Sequence, residues 1–252
     1  MCETSAVYDR TMSNIQRRRR AVTVFILIVL ALGGAIYTNL QKPAEVPDNN
    51  STVSDSTPPK VASSPAISAL GKLAVKGRAP KTGYSREQFG GEWASTGSCN
   101  IRDRILARDM TNVRYRSAAD CDVMSGTLND PYTGKAIQFV RGASTSSKVQ
   151  IDHVVAISDA WQTGAQQISA QSRHQLYNDP LELLAVDGPA NTQKSDGDAA
   201  TWLPSNKSYR CRYVARQIAV KLKYHLWVTQ AEHDAIARVL GSCPDQVLPV
   251  AN

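Results

Sequence analysis

The sequence lacks an internal repeat and a Cys-x-x-Cys pair, and it lacks a strong charge excess in the region that should fold. The first absence excludes a repeat architecture. The second argues against a four-cysteine zinc site. The whole chain has a net charge of +7, but residues 81–252 carry 19 Lys and Arg against 17 Asp and Glu. Net charge alone is therefore weak support for nucleic-acid binding.

The N-terminal region predicts a membrane segment rather than part of a folded domain. Arg17–Arg20 directly precede the uncharged apolar run Ala21–Tyr37. Such a run is close to the length needed to span a bilayer, and arginines on its N-terminal side favour a cytoplasmic N-terminus. We expect a cytoplasmic basic tail at 1–20 and a transmembrane signal anchor at 21–37, which makes a single-pass protein of the cell membrane. Cleavage after the apolar run would instead give a secreted protein.

A compositional shift separates this segment from the remainder. Residues 38–65 are rich in Pro, Ser, Thr and Asp and have almost no large apolar side chains. Such a segment cannot bury enough apolar surface to offset its ordering entropy. We therefore expect a disordered linker at 38–65, followed by one extracytoplasmic domain at 66–252.

Two helices near the C-terminus are predicted from apolar spacing. The first covers Arg212–Trp227. The second begins at Thr229, with Glu232 completing a capping box, and ends near Gly241. A tight turn between them would make them antiparallel.

Four cysteines fall in the part expected outside the cytoplasm, where disulfides persist. They are Cys99, Cys121, Cys211 and Cys243. Three pairings are possible, with a zinc site as the alternative. The antiparallel helices favour Cys211 with Cys243, because both then lie at the same open end. Cys99 would pair with Cys121.

Several shorter elements are predicted from apolar runs and turn signals. The helices are expected at Ala66–Val75, Ile101–Arg108, Ile157–Ala165 and Ser169–Tyr177, and a hairpin at Cys121–Leu128 and Lys135–Val140. We expect this hairpin to extend the sheet that carries the most informative stretch of the chain.

That stretch runs from Val149 to Asp198 and predicts a strand, a second strand and a helix. Val149–Val155 and Leu181–Val186 are strand-length apolar runs, and Gly188-Pro189 then starts a helix. Asp152 and His153 interrupt the first run, where an ionisable pair is costly unless it has a partner or a ligand. Successive side chains of a strand face opposite ways, so both reach one site only if the strand ends or bends there.

The residue types at these positions suit phosphodiester hydrolysis. His153 has an ordinary pKa suited to a general base. The Asp152 carboxylate and the Asn191 amide oxygen are ligands suited to Mg²⁺ or Mn²⁺. The alternative is a structural ion pair at Asp152 and His153 with an ordinary helix-start residue at Asn191.

Between about Ser98 and Cys243 the sequence resembles HNH endonucleases, which share a ββα-metal motif. The resemblance is to the branch of secreted actinobacterial nucleases and of the C-terminal domains of GmrSD-type restriction enzymes. Asp152-His153, Glu182 and Asn191 match the motif, with 191 − 182 = 9 positions between the last two. The middle position is usually Asn, so Glu182 is a departure.

The resemblance implies an α+β fold with a ββα-metal core, an added hairpin and flanking helices. The catalytic residues would be His153, Glu182 and Asn191, with Glu182 orienting His153. Asp152 and Asn191 would bind the divalent metal, which we expect to be Mg²⁺ with Mn²⁺ as an alternative.

The sequence thus predicts a metal-dependent endonuclease that hydrolyses DNA, or also RNA, outside the cytoplasm. Lys194 and Arg173 are expected to contact phosphate. The partners are nucleic acid and, through the N-terminal helix, the membrane; no protein partner is predicted. The alternatives are an inactive binding module with the same fold, or a hydrolase of another phosphodiester polymer such as cell-wall teichoic acid.

Overall fold

The computed structural model describes residues 65–119 and 121–249. The predicted cytoplasmic tail, membrane anchor and linker lie outside these residues, apart from Pro65. None of the helices within the described ranges is both long and apolar enough to cross a bilayer.

The described part of the chain is a mixed fold of helices and small antiparallel sheets. Its helices are α1 (Ala66–Leu70), α2 (Ile101–Asp109), α3 (Ile157–Gln162), α4 (Ala170–Tyr177), α5 (Gly188–Lys194), α6 (Arg210–Lys223) and α7 (Gln230–Leu240). Its strands are β1 (Ser95–Thr96), β2 (Cys99–Asn100), β3 (Met110–Tyr115), β4 (Val123–Asn129), β5 (Ala136–Val140), β6 (Val149–His153) and β7 (Leu183–Asp187). Short 3₁₀ helices cover Arg86–Phe89, Ser146–Lys148, Ala165–Gln167 and Lys207–Tyr209.

The strands form separate small sheets. The predicted hairpin is confirmed as β4 and β5, and β3 adds a third strand on the other side of β4. β6 and β7 pair only with each other among the described strands. The expectation that the hairpin extends the β6–β7 sheet is therefore wrong: the hairpin's further partner is β3, and their sheet is separate from the β6–β7 pair.

The strand pair β6–β7 and helix α5 form the predicted strand–strand–helix unit. In the antiparallel register, Val149 lies opposite Asp187 and His153 opposite Leu183. The helix begins directly after β7, and the Asp187 side chain accepts a hydrogen bond from the Ala190 N–H at 2.8 Å. This cap satisfies a backbone donor at the helix start.

Helices α6 and α7 form the predicted antiparallel pair and pack against α1 and β7. The capping box of Thr229 and Glu232 is present. Buried side chains such as Val214, Ile218 and Ile236 form one core cluster with residues of β7. Both predicted disulfides are confirmed: Cα–Cα distances are 6.5 Å for Cys211–Cys243 and 5.2 Å for Cys99–Cys121.

Buried charges fix helix α3 in place. Asp159 of α3 forms ion pairs with Lys221 at 3.2 Å and with Arg78 at 2.9 Å. Lys221 also pairs with Glu232 at 2.9 Å. A buried charge is tolerated only when it is paired in this way. The cluster therefore joins α3 to α6 and α7.

Candidate active site

The end of β6 brings two adjacent side chains to one cleft. β6 ends at His153, and the following Val154 N–H bonds to the Glu182 carbonyl at 2.9 Å. The chain turns there, so Asp152 and His153 both line the same cavity although they are neighbours in sequence. This is the strand-end arrangement that the sequence predicts.

The imidazole of His153 is held between aromatic rings and a backbone carbonyl. The Trp93 ring stacks on it with a centroid distance of 5.6 Å and an interplanar angle of 11°, and the Tyr177 ring lies at 4.5 Å. His153 Nε2 is 2.9 Å from the Tyr177 carbonyl oxygen. A carbonyl can only accept a hydrogen bond, so Nε2 carries the proton of the neutral ring and Nδ1 is left as the basic nitrogen.

The protonation state of His153 follows from its surroundings. The residue is 5% exposed. Burial lowers the pKa of His153 to about 3, and the positive charges of Arg86 and Lys194 act in the same direction, whereas the Tyr177 carbonyl opposes it. The ring is therefore neutral over the physiological pH range.

Asp152 is held by a buried lysine and a buried tyrosine. Lys194 Nζ lies 2.9 Å from Asp152 Oδ1 and 2.8 Å from the His153 carbonyl oxygen. The Tyr132 hydroxyl donates a hydrogen bond to Asp152 Oδ2. Burial raises the pKa of Asp152, and Lys194 opposes that effect.

The prediction that Lys194 contacts a phosphate is wrong. Its side chain is 1% exposed, and its ammonium group is used by Asp152 and by the backbone of His153. A lysine on a short polar helix suggests a solvated charge, but α5 turns this side chain inward beneath the end of β6. It stabilises the site from within the fold.

Asn191 lies on α5 and lines the same cleft as the two β6 residues Asp152 and His153. Its Nδ2 donates a hydrogen bond to Gln150 Oε1 at 2.9 Å. This contact orients the amide and leaves Oδ1 as the oxygen available to a ligand. α5 packs closely against the 3₁₀ helix Ser146–Lys148, which precedes β6, because residue 188 is glycine: a Cβ there would lie 2.1 Å from the Ser147 carbonyl oxygen.

Glu182 does not orient His153 as predicted. Its carboxylate is completely buried, and both of its oxygens lie 3.2 Å from the Val155 N–H. Burial raises the pKa of Glu182 well above its usual value. A protonated carboxyl can accept this N–H bond as a neutral amide would, which explains how Glu182 fits where Asn is usual. The His153 ring is instead oriented by the Tyr177 carbonyl, which accepts a hydrogen bond from its Nε2–H.

Arg173 is also misassigned as a phosphate contact. Its guanidinium donates to the carbonyl oxygens of Gln88 at 2.8 Å and Ile168 at 2.6 Å, and it lies over the Trp161 ring. These contacts fix the loop before β1 to the start of α4. The side chain is not part of the cleft that contains His153.

The cleft around His153 has a volume of about 310 Å³ and a predominantly polar lining. Surface cavities of about 510 to 650 Å³ occur elsewhere in the described structure. None of these contains His153, Asp152 or Asn191, so chemistry rather than size identifies the small cleft as the candidate site.

Besides Tyr132, Gln150 and Tyr177, the site includes further residues that were not predicted from the sequence. Trp93 covers one face of His153, and Arg86 and Ser158 line the cleft. Arg86 lies 67 positions before His153, on the 3₁₀ helix Arg86–Phe89. The fold brings Trp93 and Arg86 to the strand–strand–helix unit from distant positions, whereas Ser158 lies only five positions after His153 but carries no pattern that marks it as a site residue.

The residues present fit a weakly held hard cation. Within residues 65–119 and 121–249, no group of three or more His, Cys, Asp and Glu side chains could hold a metal. Asp152 and Asn191 nevertheless supply two oxygen donors to one cleft. Mg²⁺ commonly uses one or two protein ligands and completes its shell with water and substrate phosphate. Asp152 accepts hydrogen bonds from Lys194 at Oδ1 and from Tyr132 at Oδ2, and a backbone hydrogen bond from His153. An ionised carboxylate has about four acceptor positions, so one remains for a ligand.

Comparison with known proteins shows the family to which the chain is related. Residues 100–239 match the family model described as GmrSD restriction endonucleases, C-terminal domain. An uncharacterized secreted protein of Arthroderma benhamiae is 37% identical over 209 residues, covering 82% of this chain and 94% of the relative. No solved structure matches the chain significantly. That relative is fungal, so it does not bear on an actinobacterial branch.

The family match includes β6, β7 and α5, and therefore every residue of the strand–strand–helix unit. The similarity to the fungal protein extends well beyond that unit. The chain therefore belongs to the family of GmrSD restriction endonuclease C-terminal domains.

Proposed function

We propose that this protein is a metal-dependent endonuclease of the HNH type that hydrolyses phosphodiester bonds in nucleic acid. The observation that carries the proposal is the state of His153. Its Nε2 is held by the Tyr177 carbonyl and burial keeps the ring neutral, so Nδ1 is available as a base. Asp152 and Asn191 line the same cleft.

In the proposed reaction, His153 Nδ1 takes a proton from a water molecule. The oxygen of that water forms a bond to phosphorus as the bond from phosphorus to the leaving oxygen breaks, and solvent protonates the leaving oxygen. Trp93 and Tyr177 keep the imidazole in one orientation. Lys194 keeps Asp152 and the end of β6 in place, so the base and the oxygen donors hold their relative positions.

Asp152 and Asn191 would hold the divalent cation, expected to be Mg²⁺ or Mn²⁺. When bound, such a cation neutralises charge that develops on the phosphoryl and leaving oxygens. The negative charge of Asp152 and the orientation of Asn191 by Gln150 are the protein's contributions to that binding.

We further propose that the enzyme acts outside the cytoplasm. The two disulfides support an oxidising location. The apolar run Ala21–Tyr37 supports export, either as an anchored or as a secreted protein. The fungal relative is itself described as secreted.

Cleavage with controlled metal content tests the proposal. The oxidised full chain is incubated with supercoiled plasmid, single-stranded DNA, RNA and teichoic acid, first in EDTA and then after Mg²⁺ or Mn²⁺ is added in excess. We expect nicked and linear DNA only when metal is present. Absence of cleavage of every nucleic acid with both metals would reject the endonuclease in favour of a binding module. Release of phosphate esters from teichoic acid alone would identify a different polymer as substrate.

A further inference from the structure

We propose that Arg86 and Ser158 form a phosphoryl-binding subsite beside His153, with both side chains donating hydrogen bonds to non-bridging oxygens of the scissile group. The inference rests on the proposed function, because it assigns a ligand to the same cleft. It identifies the protein groups that would hold the substrate's charged oxygens in place of Lys194 and Arg173.

Ser158 provides the first observation. The residue lies on α3 and lines the cleft with His153 and Asn191, although it is only 1% exposed. Among the described residues its Oγ has no hydrogen-bond partner. A buried polar group without a partner costs free energy, so native proteins seldom retain one without a use.

The neighbouring carboxylate does not satisfy this hydroxyl. Burial acts to raise the pKa of Asp196, but Lys81 and Ser158 lower it, so Ser158 lies near the carboxylate. The Ser158 hydroxyl lowers that pKa as a hydrogen-bond donor, but the two side chains lie outside full hydrogen-bond geometry. Asp196 already accepts a hydrogen bond from Lys81 at 2.9 Å, and its side chain is about half exposed to water. Ser158 Oγ therefore keeps its donor for a molecule that enters the cleft.

Arg86 provides the second observation, from a different element. It lies on the 3₁₀ helix Arg86–Phe89 and lines the same cleft. Its guanidinium lies over the Tyr177 ring at 5.7 Å, and one nitrogen is 3.4 Å from the Tyr177 hydroxyl. In the described part of the chain it has no carboxylate within ion-pair distance, unlike Lys81, Arg78 or Lys194.

A phosphodiester is the ligand that matches these two groups. Arginine binds the oxygens of a phosphate with several N–H donors in a fixed plane. A hydroxyl on the other wall can donate to a second oxygen of the same group. Donors that already point to the position of the developing charge need no reorganisation during the reaction. Arg86, Ser158 and His153 line one cleft, so a phosphodiester bound there would lie beside both donors and the base.

The Ser158→Ala variant separates a binding role from a structural one. Because the hydroxyl has no partner, its removal should leave the thermal midpoint unchanged or raise it. The same removal should lower kcat/KM for DNA by about tenfold to a hundredfold. Ser172→Ala is the matched control, since the Ser172 hydroxyl already bonds to Ser169 at 2.9 Å. We expect it to retain kcat/KM.

Arg86→Gln tests the second donor with a binding measurement that needs no catalysis. Fluorescence anisotropy of a short labelled DNA oligonucleotide, measured on the full chain in EDTA, should show a Kd about tenfold weaker than that of the unmodified protein. The dependence of log Kd on log salt should also decrease by about one unit. Arg238→Gln, at an exposed position on α7, is the control and should match the unmodified protein.

The outcomes distinguish this inference from the proposed function. If the protein cleaves DNA and Ser158→Ala and Arg86→Gln behave like their controls, the subsite is wrong and the endonuclease stands. If the protein cleaves nothing but both variants weaken oligonucleotide binding, the subsite stands without hydrolysis. A fall in the thermal midpoint of Ser158→Ala comparable with its loss of activity would show a structural hydroxyl and overturn the assignment.

Discussion

The ion pair between Lys194 and Asp152 gives a sharp prediction, because a phosphate contact and a structural pair respond differently to mutation. The two side chains are 1% and 6% exposed. Replacing Lys194 by Met leaves a carboxylate buried without its cation, which costs about 3–5 kcal/mol. For a domain of this size, that loss corresponds to a fall in Tm of roughly 6–20 °C.

Urea unfolding of the oxidised full chain measures this cost directly. Lys148→Met is the control, since Lys148 is exposed and its replacement should change the unfolding free energy by less than about 0.5 kcal/mol. Burial already raises the pKa of Asp152, and loss of Lys194 should raise it further. A raised pKa of the folded state contributes stability at low pH that is lost as pH rises. The cost of Lys194→Met should therefore be larger at pH 8 than at pH 4.

A second variant keeps the reasoning testable if Lys194→Met does not fold. Combining it with Asp152→Asn removes both charges, and the double variant should recover a large part of the lost stability. An unchanged unfolding free energy for Lys194→Met, together with a raised KM for DNA, would refute the reasoning. That result would restore Lys194 as a phosphate contact.

Two further predictions concern groups whose pKa is changed by burial. Burial raises the pKa of Glu182, so the folded state holds its proton and the associated stability is lost as pH rises above about 4.5. Glu182→Gln keeps the acceptor for the Val155 N–H. It should raise the unfolding free energy at pH 8 but not at pH 4. Equal changes in unfolding free energy at the two pH values would contradict a protonated Glu182. Burial lowers the pKa of His153 from 6.5 to about 3. The stability that the buried neutral ring contributes is therefore present above pH 6.5 and is lost as pH falls toward 3. His153→Ala should flatten the acid decline of unfolding free energy measured in urea, and an unchanged slope would argue against a buried neutral ring.

Local patterns in the sequence predict much of the fold. The apolar runs around Ile151 and Ala185 do form paired strands, because their length and composition suit no other element. The capping box at Thr229 marks the start of α7, and the antiparallel helices explain the Cys211–Cys243 pairing. These features depend on residues close together in sequence or on one short connection.

Strand β3 shows the limit of such patterns. Met110–Tyr115 alternates poorly between apolar and polar residues, and four of its six side chains are exposed. The segment forms strand β3 because it pairs with β4. That pairing follows from the position of α2 and not from the composition of β3. Edge strands of this kind carry little periodic signal.

The site was predicted only in part for the same reason. Asp152, His153 and Asn191 do share a cleft, because the strand–strand–helix order brings them together. Lys194 is buried with its ammonium group paired to Asp152, 42 positions before it, and His153 contacts the carbonyl of Tyr177, 24 positions after it. Both contacts join residues more than 20 positions apart, so no local spacing reveals them.

The rate of DNA cleavage by His153→Ala measures whether His153 is the general base of the proposed reaction. His174→Ala is the control, because that imidazole is exposed and lies outside the cleft. With Mg²⁺ or Mn²⁺ in excess, we expect His153→Ala to cleave plasmid DNA at least about a hundredfold more slowly than the unmodified protein, and His174→Ala to cleave at the unmodified rate. Equal rates for the unmodified protein and His153→Ala would contradict the account.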